Sequence, residues 1–377
     1  MPSRVPASDR LTGLAHVATV SFLASRVAPS GQFWAALGGG MALARAGEKH
    51  GLRAGYGASA AAMLETVAMI GPARIQGPLT QALNAPLMGV LHARRAPLAA
   101  VFAAALVIRL AHYVVLNATF VWLVFGSLDA YVDTYDRIAG FLRVLPEGRT
   151  AALVLTVLAN LGWAVFYSGV QTLAYHRALR RWPGAPGVER GPDRSAEAAR
   201  VRPPRRALLI AAIAVAGWTA LLASPSWPVL GATTAVLVAA WLVAPGRSAK
   251  GLKLGLILAA ILALGAIGPA LLGVVETEEA VRRAIRAALL VLVATWARAA
   301  AGADGVRTLT GAALWRLRRL PAAREAAGLA AMLRSDRRLS MAGRDLLDRL
   351  DEVPMRPVPI ADALTAWVAA ESAAAPD

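Results

Sequence analysis

Long apolar runs separated by short polar segments cover most of this chain. Most runs approach the roughly 20 residues that a helix needs to cross the hydrocarbon core of a bilayer. Backbone groups in hydrocarbon must be hydrogen-bonded within the protein, and runs this rich in Ala and Leu favour helices over a closed barrel. The pattern predicts an all-α, polytopic integral membrane bundle of about ten transmembrane helices. The runs lie at 12–29, 31–46, 54–71, 76–93, 97–126, 150–175, 206–224, 227–244, 253–275 and 283–303.

Charged residues between the runs predict which side of the membrane each segment faces, because Arg and Lys collect in cytoplasmic loops. Arg94 and Arg95 mark one inner loop, and a series of Arg within 177–206 marks another. Acidic residues within 129–147 predict an outer segment. Ten spans with both termini in the cytoplasm satisfy every loop, and eight to ten is the range because the first, second and fourth runs are short or interrupted. We expect a multi-pass protein of a bacterial inner (cell) membrane.

Changes in composition predict four regions along the chain. Residues 1–180 form an N-terminal membrane bundle of about six spans, and residues 181–205 form a cytoplasmic linker rich in Arg and Pro. Residues 206–303 form a second bundle of about four spans. Residues 304–377 form a cytoplasmic, amphipathic helical tail. Apolar residues at helical spacing predict two faces in this tail: Leu309, Ala313, Leu317 and Leu320, then Leu339, Leu346 and Leu350.

Composition narrows the class of protein further. The chain is 57% hydrophobic with a mean hydropathy of +0.52, which is too apolar for a soluble protein. Its formal net charge of +17 is mostly Arg between apolar spans, so it indicates membrane orientation rather than nucleic-acid binding. The absence of cysteine excludes disulfides, thiolate catalysis and Cys-ligated metal. Motifs for nucleotide hydrolysis and zinc are also missing, so we expect no cofactor, no metal and no enzymatic activity of those kinds.

Polar side chains inside the apolar runs are the candidates for function. Placing each one in hydrocarbon costs free energy unless it is paired or in contact with water. Glu65 lies in the middle of an apolar run. Either it carries a proton or cation or anchors a substrate, or it is paired with a basic group of a neighbouring helix such as the fifth run. Polar faces follow the fifth run (Arg109, His112, Tyr113 and Asn117) and the sixth (Asn160, Trp163, Tyr167 and Gln171), and they are expected to meet. We hypothesise that one cavity is lined by Glu65, Arg74, Gln81, Asn84, Arg109 and His112. Simple interhelical hydrogen bonding is the alternative.

The segment 71–89 is the least regular of the apolar runs, because Gly and Pro interrupt it and polar residues punctuate it. This pattern favours a broken or re-entrant helix that lines a wet cavity. A kinked connection outside the hydrocarbon is the alternative. Small residues at Gly38–Gly40, Gly55 and Ser59 indicate close packing between helices.

The layout resembles that of the energy-coupling factor vitamin transporters, with a substrate-binding membrane subunit joined to the coupling subunit. The local similarity lies in AVRRAIRAALLVLVATWARAA at 280–300 and LAAMLRSDRRL at 329–339. The resemblance implies that Arg-bearing cytoplasmic helices dock into separate ATPases. The coupling helices of that family carry Ala-Arg-Gly where this chain has Leu333, Arg334 and Ser335, so no family residue is transferred.

The leading hypothesis is a membrane transport component with a polar cavity and a docking tail, driven by a partner ATPase or an ion gradient. The expected docking residues are Arg316, Arg318, Arg319, Arg334, Arg337 and Arg338. Contact with anionic lipid is the simpler explanation for these Arg residues. One alternative function is a non-transporting membrane scaffold. Another is a lipid-active membrane enzyme that uses Glu65 or His112 as a general base.

Overall fold

The computed structural model describes residues 10–26, 32–71, 76–182, 203–224, 226–243, 249–317, 319–332, 336–354 and 356–374. Every regular element in these ranges is a helix, which confirms the all-α prediction. The helices are α1 (Leu11–Ala24), α2 (Gln32–Ile70), α3 (Gln76–Ala93), α4 (Leu98–Phe120), α5 (Leu128–Leu142), α6 (Arg149–Arg181), α7 (Arg205–Ala223), α8 (Trp227–Val243), α9 (Ala249–Leu271), α10 (Thr277–Arg316), α11 (Pro321–Met332), α12 (Asp336–Asp351) and α13 (Pro357–Ala374). A π-helical turn, Val121–Phe125, continues α4.

Four helices within the described residues are long and apolar enough to cross a membrane. They are Leu98–Phe125, Arg149–Arg181, Arg205–Ala223 and Thr277–Arg316. The apolar helices Leu11–Ala24, Trp227–Val243 and Gly255–Leu271 are shorter. These helices are consistent with a polytopic membrane protein, and the count of ten spans stays a prediction.

The predicted second and third runs form the two halves of α2, which reverses direction at Gly51. Gly51 has φ 83° and ψ 176°, a conformation that a glycine adopts at little cost. A Cβ atom placed on Gly55 would lie 3.0 Å from the Cα atom of Gly47. Residues eight apart in a straight helix are about 12 Å apart. The two halves therefore form an antiparallel hairpin that turns at Gly51.

Helix α3 runs without a break through Pro86, so the described part of the predicted irregular segment, from Gln76 onward, is a regular helix. Gly71 ends α2 with φ 86°, and residues 72–75 lie outside the described residues. Pro86 has no N–H, so the carbonyl of Ala82, four residues earlier, lacks its helical donor. Ser59 of α2 donates its hydroxyl to this carbonyl at 2.6 Å, and Tyr56 donates to the carbonyl of Leu83 at 2.9 Å. The α2 side chains thus satisfy the backbone around the proline.

The chain divides into two compact units. Unit 1 contains residues 1–109, 165–203 and 306–377, and unit 2 contains residues 110–164 and 204–305. Helices α4, α6 and α10 contribute residues to both units. The predicted division at 180, 205 and 303 stays a prediction, and most of the predicted linker lies outside the described residues.

Helix α1 is the centre of the unit 1 core. It is mostly apolar, and its residues from Gly13 to Phe22 are all buried. It packs against α2, α11, α12 and α13, so protein rather than lipid covers it. Side chains such as Leu14, Val17 and Phe22 are fully buried there, and each contributes roughly 1.5–3 kcal/mol relative to exposure in water.

The predicted tail is therefore part of the unit 1 core. Leu339, Leu346 and Leu350 of the second predicted face belong to the core cluster. The first predicted face is not buried, because Leu317 and Leu320 are exposed beyond the end of α10. Four further contacts hold α12 and α13 in place. The Trp367 indole donates to Asp345 at 2.9 Å, and Asp362 receives hydrogen bonds from Arg177 and Arg181. The hydrogen bond from Arg177 is the main cause of the lowered pKa of Asp362.

Unit 2 exposes most of the large apolar side chains that the structure leaves uncovered. Val157, Leu209 and Leu264 are 62%, 62% and 68% exposed on three different helices. A soluble protein rarely exposes so much contiguous apolar area, whereas a lipid-facing surface requires it. Helix α5, which sequence reasoning placed in a polar outer segment, begins in unit 2 at the N-cap Ser127, whose side chain accepts from the amide of Ala130 at 3.1 Å.

The bond from Ser59 to the Ala82 carbonyl predicts a coupling with Pro86. Replacing Ser59 by alanine leaves that carbonyl without a donor, and we expect a loss of about 1 kcal/mol in the free energy of unfolding. In a Pro86→Ala background the helix regains its own N–H donor, so the same change should cost much less. Denaturant unfolding of the four proteins in detergent measures this cycle.

The matched control is Ser372→Ala, because the buried Ser372 hydroxyl bonds within its own helix, to the carbonyl of Ala369 at 3.0 Å. Its effect should be independent of Pro86. Equal losses for Ser59→Ala in both backgrounds would show that the hydroxyl does not compensate for the proline.

Candidate functional site

Three of the predicted cavity residues meet in one buried hydrogen-bond network in unit 1. Gln81 and Asn84 lie one turn apart on α3, and Arg109 lies on α4; all three are at least 96% buried. Oε1 of Gln171 on α6 accepts from Nη2 of Arg109 at 2.6 Å and from Nδ2 of Asn84 at 3.3 Å. Nε2 of Gln171 donates to the Tyr175 hydroxyl at 3.3 Å. The Tyr175 hydroxyl in turn donates to Oε1 of Gln81. These residues and Ser168 form what we call the Arg109 network.

The polar faces of α4 and α6 meet, as the sequence predicts. Nε of Arg109 donates to the Ser168 hydroxyl at 3.1 Å, and Nδ2 of Asn117 donates to Oδ1 of Asn160 at 3.0 Å. A later residue on α4 thus contacts an earlier residue on α6, which is the order of antiparallel helices. The first contact lies in unit 1 and the second in unit 2.

The Arg109 charge is held by neutral groups. Besides Ser168 and Gln171, the aromatic ring of Tyr167 lies 5.7 Å from its guanidinium carbon. Within the part of the chain that the structure describes, no carboxylate forms an ion pair with Arg109. A buried cation without an opposite charge keeps a strong attraction for anions, because little water screens it.

Asn84 adds an unused hydrogen-bond acceptor to the same network. The side chain is fully buried, and among the described residues Oδ1 has no donor. An unsatisfied buried oxygen costs about 1–3 kcal/mol unless a ligand or water supplies the missing partner. The network therefore offers both a cationic donor and a free acceptor.

A glycine makes space for this network. A Cβ atom on Gly40 of α2 would overlap the Tyr175 hydroxyl and would lie 3.1 Å from Oε1 of Gln81. The glycine cluster that the sequence marks for close packing thus allows the tyrosine to reach α3.

Glu65 forms a buried ion pair with Arg307. Its two carboxylate oxygens each lie 2.9 Å from Nε of Arg307, and Nη2 of Arg307 also donates to Oε1. The side chains are 1% and 9% exposed. Arg307 follows a bend in α10 at Gly302, where φ is 69° and ψ is 171°. A basic partner on a neighbouring helix is one of the two alternatives that the sequence leaves open for Glu65, and this partner comes from α10 rather than from the fifth run.

The other two predicted cavity residues are His112 and Arg74. His112 is half-buried in unit 2, with its ring 6.2 Å from that of Tyr113. Arg74 lies outside the described residues. The structure therefore brings together Gln81, Asn84 and Arg109 out of the six.

Sequence reasoning missed three members of these clusters. Ser168 and Tyr175 lie three residues before and four residues after Gln171, so they continue its helical face. Extending the predicted polar stripe by one turn at the C-terminal end would have found Tyr175. Arg307 had no such signal, because the sequence assigned it to a tail beyond the membrane.

The predicted docking residues are only partly described. Arg316 and Arg319 are exposed in unit 1. Arg318 and Arg334 lie outside the described residues, as do the side chains of Arg337 and Arg338, although both residues lie on α12.

The Glu65–Arg307 pair predicts a large effect of single substitutions and a smaller effect of the double substitution. Glu65→Gln leaves Arg307 buried without its counter-charge, and we expect a loss of about 3–5 kcal/mol in the free energy of unfolding. Adding Arg307→Gln should restore a large part of it, since no buried charge is then uncompensated. Thermal and denaturant unfolding in detergent measure both.

The control is Glu325→Gln, because Glu325 pairs with Arg53 at 3.2 Å with both side chains at least one-third exposed. Surface pairs of this kind contribute at most about 1 kcal/mol. If Glu65→Gln were as mild as Glu325→Gln, the buried pair would have no structural role.

Comparison with known proteins identified no relative of this chain. The chain matches no protein-family model, and searches of the curated proteins and of the solved structures found no match.

Proposed function

We propose that this protein is a membrane transport component whose Arg109 network binds a solute with an anionic group. The observation that carries the proposal is the buried Arg109 guanidinium, held by Ser168, Gln171 and Tyr167 and by no carboxylate of the described residues. A protein that only holds its helices together has no need for an uncompensated buried cation, because such a charge is destabilising. The free Oδ1 of Asn84 supports a ligand with a donor group as well.

The proposal includes the finer topology. We propose a multi-pass protein of a bacterial inner membrane with ten crossings and both termini in the cytoplasm. The alternation of basic and acidic segments along the chain supports this arrangement. Because the chain has no cysteine, single introduced cysteines and a membrane-impermeant label can count the crossings directly.

The proposal also includes a cytoplasmic ATPase as partner. Helices α11, α12 and α13 pack against α1, which gives the C-terminal region a fixed surface. Arg316 and Arg319 are exposed near the start of this region and are suited to contact an acidic surface of the partner. If the solute-binding test fails, a membrane scaffold that recruits another protein becomes the better explanation of the function.

Arg109 substitutions test solute binding. The purified full-length protein is mixed in turn with acetate, succinate, glutamate and benzoate, and the unfolding temperature is compared with that in chloride at equal ionic strength. We expect at least one carboxylate to raise it. For Arg109→Gln the affinity for that carboxylate should fall roughly ten- to hundredfold, because one charge-assisted hydrogen bond is lost.

Arg356→Gln is the matched control, because it removes one exposed positive charge from the same unit. It should leave the affinity unchanged. Equal responses of the native protein and of Arg109→Gln to all four carboxylates would contradict the proposed site. A carboxylate that binds is then tested for uptake into proteoliposomes.

Native purification tests the docking proposal. Gentle-detergent purification of the tagged protein from its own host, followed by mass spectrometry, should recover an ATPase in stoichiometric amount. The double substitution Arg316→Glu and Arg319→Glu should reduce that recovery at least several-fold by charge repulsion. Recovery of the protein alone, or undiminished recovery of the ATPase with the double variant, would contradict docking at these residues.

A further inference from the structure

Three arginine side chains help to line a small cavity in unit 2. Its volume is about 130 Å³. This volume is the space that about four water molecules occupy in the liquid, so it is large enough for a small oxyanion. The cavity is lined by Trp122, Gly126, Glu279, Arg282, Arg283 and Arg286. All six belong to unit 2, so the cavity is separate from the Arg109 network.

Two of the three arginines already have partners. Arg282 and Arg283 both donate to the carboxylate of Glu279, and Nε of Arg283 lies 2.8 Å from Oε1. Arg283 also donates to the backbone carbonyl of Phe125. One carboxylate therefore faces three positive charges, which leaves the cavity with an excess of two.

Arg286 differs from the other two, because two of its donor atoms have no hydrogen-bond partner among the described residues. The residue is 6% exposed, and within the described residues its Nε and Nη2 atoms have no hydrogen-bond acceptor. Leaving a buried charged donor unsatisfied is costly, and natural structures rarely do so without a reason. An oxyanion in the cavity would supply both the missing acceptor and the missing negative charge.

Trp122 fixes the orientation of this guanidinium. The guanidinium carbon of Arg286 lies 4.1 Å from the centre of the Trp122 ring, so the aromatic face supports it on one side. A guanidinium held in this way directs its donors outward in its own plane. That geometry suits two oxygen atoms of one phosphate group.

The cavity lies where two candidate membrane spans end. Phe125 is the last residue of one span, and Glu279 lies in the first turn of another that begins at Thr277. Trp122 is 43% exposed, and at the start of the second span the Trp227 indole donates to Glu278 at 2.8 Å. Tryptophans of this kind mark the level of the lipid headgroups.

We infer that Arg286 and Trp122 form a binding site for a phosphate group, supplied by the headgroup of an anionic membrane lipid. The exposed tryptophan contacts the lipid chains, and the guanidinium binds the phosphate oxygens. Soluble phosphate shares this chemistry, and the experiment below separates the two sources.

Native mass spectrometry of the purified full-length protein measures the retained lipid. The probes are dioleoylphosphatidylglycerol, dioleoylphosphatidylcholine and inorganic phosphate, each in the same detergent at fixed ionic strength. We expect phosphatidylglycerol to bind in preference to phosphatidylcholine. Arg286→Gln should weaken phosphatidylglycerol binding about tenfold or more, because the phosphate loses its charge-assisted hydrogen bonds.

Two further variants keep the test decisive. Arg149→Gln removes an exposed charge of unit 2 outside the cavity and should bind lipid like the native protein. If Arg286→Gln does not fold, Arg286→Lys keeps the charge but loses the planar donors, and it should bind several-fold more weakly.

Each outcome decides the inference. Displacement of phosphatidylglycerol by inorganic phosphate in the native protein, absent in Arg286→Gln, would support the phosphate site and assign it to soluble phosphate as well. Equal lipid binding by the native protein and the Arg286 variants would overturn it, as would equal retention of both lipids with no effect of inorganic phosphate.

Discussion

The contact between α2 and α3 has no room for side chains where their backbones cross, and the rest of unit 1 depends on it. A Cβ atom on Gly47 would overlap the carbonyl of Pro86, and one on Gly89 would overlap the carbonyl of Ala44. This closeness brings the Ser59 hydroxyl to the carbonyl that the proline leaves free. It also fixes the face of α3 that carries the polar residues, so that α6 can reach them. Small residues are the common means by which helices approach in membranes, where lipid is as apolar as leucine and burial alone does not drive association.

Three buried arginines show three solutions to the cost of a charge in an apolar protein. Arg307 has a carboxylate partner in Glu65, which neutralises it. Arg109 has only neutral partners and an aromatic ring. Arg286 has an aromatic ring and unsatisfied donors among the described residues. The first arrangement compensates the charge within the protein, whereas the other two leave positive charge available to an anion. Whether a buried arginine can attract an anion therefore depends on the groups around its guanidinium.

The two units differ in what covers their apolar helices. Helix α1 is mostly apolar and is buried by protein, including the C-terminal helices α12 and α13. Helix α8 is also mostly apolar, yet Leu242 and Val243 at its end are 78% and 86% exposed. A helix that is apolar all round must avoid water, but neither its composition nor its periodicity says whether lipid or protein replaces the water.

The sequence by itself determined that the described elements are helices, approximately where several of them begin and end, and that several are apolar enough for a membrane. These properties are local, since they follow from runs of apolar residues and from the backbone's need for internal hydrogen bonds. The polar faces of α4 and α6 could likewise be predicted from helical spacing. Only the tertiary structure decided that Glu65 pairs with Arg307, 242 residues away along the chain, and that the C-terminal helices cover α1. Such contacts depend on which helices become neighbours, and that is set by packing of the whole chain rather than by any local pattern.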